Sequence, residues 1–200
     1  MNIKATLVAA TLALGFSVSA STAATLNVDV NGQLLGASDV DVDGVLYDVS
    51  FQDGTCISLF ADCDEQSDFV FTTADSALLA SAALLSQVFI DNSLGQFDSS
   101  PGLTRGCAAG VDSCFVFTPY SINSLSQVPN AFAFHTDDDV LTDGFFGSKI
   151  NSNTNTGSVD SFTYAVWSVT TPVPLPAGGW LLLSGLVGLA AAGRWSKRVA

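Results

Sequence analysis

The strongest constraint on the fold is a series of three Xxx-Gly pairs, Asn31-Gly32, Asp43-Gly44 and Asp53-Gly54, set between short apolar runs. Each pair can take positive φ at both positions, as two-residue hairpin turns require, so the pattern predicts a β-meander. Its strands are expected near 25–30, 33–42, 45–51 and 55–60. In the second run Val40 and Val42 share one face while Asp39, Asp41 and Asp43 share the other, because side chains alternate across a strand. The Asp face is expected to be solvated.

The same stretch invites a calcium reading. Asn27-Val-Asp29-Val-Asn31-Gly32 and Asp39-Val-Asp41-Val-Asp43-Gly44 both match the D-x-D-x-D-G opening of an EF-hand loop. The twelfth position, which supplies a bidentate Glu in such loops, holds Ser38 in one case and Ser50 in the other, and no helical pattern flanks either run. Hairpins explain the letters better. Asp39, Asp41 and Asp43 stay as weak candidate metal ligands, and no other cofactor is expected.

Cys56 and Cys63 are separated by six residues, as are Cys107 and Cys114. An even cysteine count points to disulfides if the chain is exported, as its N-terminal segment implies. Of the three connectivities, local pairing closes two short loops at the lowest entropic cost and is favoured. Zinc binding is disfavoured by the wide spacing, and redox catalysis by the absence of Cys-x-x-Cys.

A strand is expected at Asp68–Thr72, then a helix over Thr73–Ile90, capped by Thr72 or Thr73, with Leu78, Ala82, Leu85 and Phe89 facing the core. Residues 91–110 read as loop, Ser113–Thr118 and Val128–His135 as strands, and Val159–Val169 as a last strand. In the second of these Phe132 and Phe134 share one face, and Ala131, Ala133 and His135 the other. His135, the single histidine, precedes Asp137, Asp138, Asp139 and Asp143. A catalytic role is disfavoured, because no second histidine or nucleophile elbow accompanies it and the Asp-rich run reads as a solvated loop.

Both ends read as addresses. Residues 1–24 combine Lys4, an apolar core and a small-residue cluster, the pattern of a secretory signal peptide. At the other end Pro174 and Pro176 stiffen an extended connector, and the seventeen residues from Ala177 to Gly193 carry no charge. As a helix they would span roughly 25 Å, a little short of a hydrocarbon core of ~30 Å. Arg194, Lys197 and Arg198 follow, and the positive-inside rule holds them on the cytoplasmic side.

Val173-Pro174-Leu175-Pro176-Ala177, the apolar helix and Arg194, in that order, resemble the VPLPA-CTERM sorting signal, a variant of the PEP-CTERM signals of Gram-negative bacteria. The resemblance covers residues 173–200. It implies recognition by an exosortase-type processing enzyme, transient anchoring in the inner membrane through the C-terminal helix, and delivery to the cell surface or extracellular matrix. Asp43–Cys56 and Gly106–Tyr120 also resemble an ectodomain that recurs among VPLPA-tailed proteins, without implying an activity.

Between signal peptide (1–24) and sorting segment (171–200) lies an ectodomain, 25–170, that holds all nineteen acidic residues but only Arg105 and Lys149 of the basic ones, a formal charge of 2 − 19 = −17. Such a surface repels phosphate backbones and disfavours nucleic-acid partners. The expected fold class is α+β, mainly an antiparallel β sheet with one packed helix, framed by the signal peptide and the C-terminal hydrophobic helix. The expected function is that of a non-catalytic surface or matrix protein, structural or adhesive. The alternative is a small calcium- or polysaccharide-binding module, for which Trp167, Tyr47, Tyr120 and Tyr164 are the available sugar-stacking residues.

Overall fold

The computed structural model describes residues 23–137 and 143–170. Strands β1 (Thr25–Val28), β2 (Leu34–Val42) and β3 (Val45–Gln52) pair antiparallel in order, as the meander reading expects. Asp43 and Gly44 take φ of 54° and 83° between the paired Val42 and Val45, the two-residue turn foreseen. The first turn is longer than expected. There only Gly32 has positive φ, 84°, and the chain reverses over Asp29 to Gln33. The Asp29 carboxylate accepts the N–H groups of Asn31 and Gln33 at 2.8 Å each, satisfying amides that no strand partner reaches.

Asp53-Gly54 makes no hairpin, and the strand expected over 55–60 is a helical loop instead. Thr55 caps a single turn, α1 (Cys56–Leu59), through reciprocal bonds with Ser58. Gly54 N–H donates to Thr156 Oγ1 at 3.1 Å and Thr156 N–H donates to Gly54 O at 3.0 Å, so a distant loop takes the bonds a hairpin would have used. The strand expected at Asp68–Thr72 is also absent; a 3-10 turn (Gln66–Asp68) leads into an unpaired run.

Helix α2 (Ala74–Gln87) forms where expected, with Thr73 Oγ1 accepting the Ser76 N–H at 3.2 Å and Asp75 in the first turn. Its buried face differs from the stripe read from the sequence. Ala77, Ala80, Ser81, Ala83 and Leu84 are buried, Leu78 and Leu85 are only partly so, and Phe89, as expected, is buried in the core, though beyond the helix end. Small side chains let the helix axis approach the sheet, which leaves the larger leucines to its flanks.

A short hairpin, β4 (Asp91–Asn92) with β5 (Gly95–Gln96), precedes a second meander of β6 (Ser113–Pro119), β7 (Gln127–Thr136) and β8 (Gly144–Asn151). The last strand, β9 (Phe162–Val169), runs back between the two meanders, and the sheet order is β1-β2-β3-β9-β6-β7-β8. The sheet is therefore mixed, not wholly antiparallel: β9 is antiparallel to β3 and parallel to β6. A strand inserted between edges that run in opposite directions must be parallel to one of them.

Alternation along β9 divides the core. Ala165 and Trp167 face α2 together with Val49, Phe51, Val116, Ala131 and Ala133. Tyr164 faces the other way, onto Phe117, Phe60 and Phe69 under the first disulfide loop. Both disulfides take the local pairing: Cys56–Cys63 with Cα atoms 5.7 Å apart and Cys107–Cys114 with 6.0 Å.

Candidate functional site

The sorting motif Val173, Pro174, Leu175, Pro176, Ala177 and Arg194 lies outside the described residues, as do the apolar segment at 177–193 and residues 1–22 of the signal peptide. The described chain ends beside β3, where the Thr170 N–H donates to Leu46 O at 3.1 Å. Among the described residues no helix is long and apolar enough to cross a membrane.

Asp39, Asp41 and Asp43 do not converge on one point. Asp39, at φ 59°, is part of a bulge in which Ser38 and Asp39 stand opposite Asp48 alone, and its N–H donates to Asp48 Oδ1 at 3.2 Å. The bulge shifts the phase of β2, so Ala37 and Val40 are both buried although three positions apart. Asp41 lies past the reach of β1, and the Gln87 amide at the end of α2 takes over: it accepts the Asp41 N–H at 2.9 Å and donates to Asp41 O at 2.8 Å. Asp41 Oδ1 accepts the Gly44 N–H at 2.7 Å, and Asp43 is exposed at the turn. Among the described residues no group of three or more His, Cys, Asp or Glu side chains is placed to hold a metal.

His135 is fully buried. Its ring stacks on Phe89 at 3.9 Å between centroids, and Nε2 lies 3.3 Å from Thr104 Oγ1. Burial pulls its pKa down to about 4, against the opposing backbone of Phe97 and Asp98, so the imidazole is neutral at pH 7 and serves as packing. Of the sugar-stacking aromatics, Tyr164 is fully buried and Trp167 is 6% exposed, with its Nε1–H donating to Thr118 Oγ1 at 3.1 Å. Tyr47 packs on Phe71 and Trp167.

One carboxylate arrangement was not visible in the sequence. Asp143, at the entry to β8, accepts the Thr136 N–H at 2.9 Å and meets the Asp98 carboxyl. Burial first, and then Asp98, raise its pKa to about 6, against the Thr136 bond. The pair joins the loop after β5 to the β7–β8 connection, a contact across 45 positions (143 − 98 = 45) with no local signature.

The most distinctive surface lies on the sheet face opposite α2, over β6, β7 and β8. Phe162 meets Phe115 and Phe117, both meet Phe132, and Phe132 meets Phe146, with centroids 5.0 to 5.9 Å apart. Phe117 is buried, Phe115, Phe132 and Phe162 are half-buried, and Phe146 is 55% exposed. Phe132 and Phe134 share this face while Ala131, Ala133 and His135 turn toward α2, as their alternation predicts. The half-exposed rings offer apolar area and edge-to-face geometry without a charged group among them. Strand β8 was missed because Asp143-Gly144 reads as a turn and Gly147 interrupts the run; the β-forming Phe145, Phe146 and Ile150 were the available signal.

Among the described residues, one cavity of about 220 Å³ lies beside Ser99, Pro101, Gly110 and Asp137 and another of about 250 Å³ beside Phe60, Val70, Pro119 and Trp167. Both fall below the roughly 300–1,000 Å³ usual for small-molecule sites. No family model, curated protein or solved structure matches the chain.

Proposed function

We propose that this is an exported cell-surface or extracellular-matrix protein of a Gram-negative bacterium, sorted by an exosortase-type system, and that its acidic domain acts as a structural or adhesive unit without catalysis. The observation that carries the reading is the C-terminal order of Val173-Pro174-Leu175-Pro176-Ala177, an uncharged segment and Arg194. The two disulfides support an oxidising compartment, since such bonds persist outside the cytosol. In this reading the C-terminal helix holds the membrane until processing, while the domain, at 2 − 19 = −17, is repelled by anionic headgroups.

The structural reading is preferred to a calcium- or polysaccharide-binding module. The Asp41 carboxylate is engaged by the Gly44 N–H in the β2–β3 turn, and Trp167 and Tyr164 are committed to the core. Mass spectrometry of the mature protein, combined with cell fractionation, tests the sorting step. Cleavage near Ala177 with release from the inner membrane is expected, and an intact chain through Ala200 recovered there would overturn it.

A further inference from the structure

Strand β8 is an eight-residue strand at one end of the sheet, and among the described residues nothing pairs with its outer side. Such an edge presents a row of free N–H and C=O groups, a template for another strand. The opposite edge, β1, has only four residues. Phe145 and Phe146 on β8 are 45% and 55% exposed, on opposite faces of the strand, so apolar surface flanks the open ladder on both sides.

The charges around β8 select its partner. From Gly144 to Val159 the only charged residue is Lys149, and from Ser113 to Thr136 there are no Asp, Glu, Lys or Arg residues. The strand is nonetheless dipolar. Asp143 adjoins its start, where Asp137 and Asp112 also lie, tied by the Asp137 N–H donating to Asp112 O at 3.1 Å. Lys149 is exposed near its other end, roughly 20 Å away along the strand and far beyond a Debye length of about 8 Å. Among the described residues the lysine therefore has no acidic partner on this edge.

We propose that β8 pairs antiparallel with β8 of a second copy of this chain, about a two-fold axis. That orientation places Lys149 of each copy beside the Asp137–Asp143 end of the other, whereas parallel pairing would set like ends together. It also puts the acidic meander far from its counterpart: β3 is four strands from β8, about 19 Å in each copy, so screening removes most of the repulsion between the two acidic meanders. The phenylalanine faces of the two copies become continuous, and the open edge disappears. The pairing depends on the edge alone and holds whether or not the tail is processed.

Sedimentation of the full chain in detergent tests the pairing. Wild type and Lys149→Arg are expected to dimerise, Lys149→Glu to weaken the dimer by roughly tenfold or more, and Phe146→Cys, midway between Asp143 and Lys149 and so on the two-fold axis, to form a disulfide with itself. Near-UV circular dichroism from buried Trp167 reports that each variant is folded. A monomeric wild type overturns the proposal, including one whose β8 amides are protected from hydrogen exchange by another segment of its own chain. Association that survives Lys149→Glu unchanged also overturns it, because the tail or another face would then be responsible.

Discussion

The two meanders are built alike and finished differently. Residues 25–52, which hold β1 to β3, contain five acidic residues, Asp29, Asp39, Asp41, Asp43 and Asp48, and no basic one; residues 113–136, which hold β6 and β7, contain no acid at all. On the face away from α2 the first presents partly exposed Ser38, Asp48, Ser50 and Gln52, and the second presents phenylalanines. The strand pairing is the same in both, so side-chain chemistry alone separates a wet half from an apolar one. Charge thus follows strand order, and the less acidic end of the sheet is where another surface can approach.

The largest effect is expected at the seam. Trp167 on β9 packs on Phe71 and Tyr47 and bonds to Thr118 of β6, so it ties the two meanders together. Trp167→Ala should destabilise the domain by about 3–5 kcal/mol in urea denaturation, from lost burial and an orphaned Thr118 hydroxyl. A change under about 1 kcal/mol would mean the halves are stable separately.

Next come the disulfides, one flanking each meander. Both close loops with a sequence separation of 7, so loop closure gives each about 2–3 kcal/mol. Paired Cys→Ala variants of Cys56/Cys63 and of Cys107/Cys114 should lower stability by similar amounts, read by the denaturation midpoint. An inequality well beyond about 1 kcal/mol would show that local packing, not loop entropy, sets their worth.

A smaller effect of opposite sign is expected at Tyr164. Its hydroxyl is buried without a hydrogen-bond partner, and burial pushes its pKa up. Tyr164→Phe removes an unsatisfied group while keeping the ring, and should raise stability by about 1 kcal/mol; a loss would reveal a partner for the hydroxyl.

The smallest effect is a pH step at the entry to β8. The Asp143 pKa rises from 3.8 to about 6, chiefly through burial and then through Asp98, so ionising it costs more in the folded state than in the unfolded one. Its contribution to stability is full below pH 3.8 and is lost as pH climbs through about 6. Asp143→Asn keeps an acceptor for Thr136 and should lack that decline in a melting-temperature profile. Asp29 and Asp91, whose pKa values are lowered by hydrogen bonds led by Gln33 and Ser99 respectively, give the opposite trend in both proteins, and it cancels in the difference. Matching profiles would show that the Asp98–Asp143 contact does not persist in solution.

Much of the local structure was legible. The Asp43-Gly44 turn, the Thr73 cap, the alternation of Phe132 and Phe134 with Ala131 and Ala133, and the local cysteine pairing all follow from rules that act within a few residues. The errors have specific causes. Asp53-Gly54 has the letters of a turn, but Thr156 captures its backbone from far along the chain. The stripe Leu78, Ala82, Leu85 and Phe89 is right for Phe89, which is buried, and in part for Leu78 and Leu85, but contact with the sheet favours small residues at Ala77 and Ala80. The β8 edge and the Asp98–Asp143 contact went unseen for the same reason: each exists only once distant segments meet.

The sequence by itself determined the Asp43-Gly44 turn, the helix start, the disulfide loops and the segregation of charge along the chain, because these depend on local φ preferences, capping and loop-closure entropy. The tertiary structure alone decided that β9 enters between the meanders, pairing Tyr47 with Val169 and Phe115 with Phe162, and that the Asp39 bulge rotates β2 into phase with the core. Strand order and register come from side-chain packing between positions far apart in the chain, for which no short stretch of residues carries a signal.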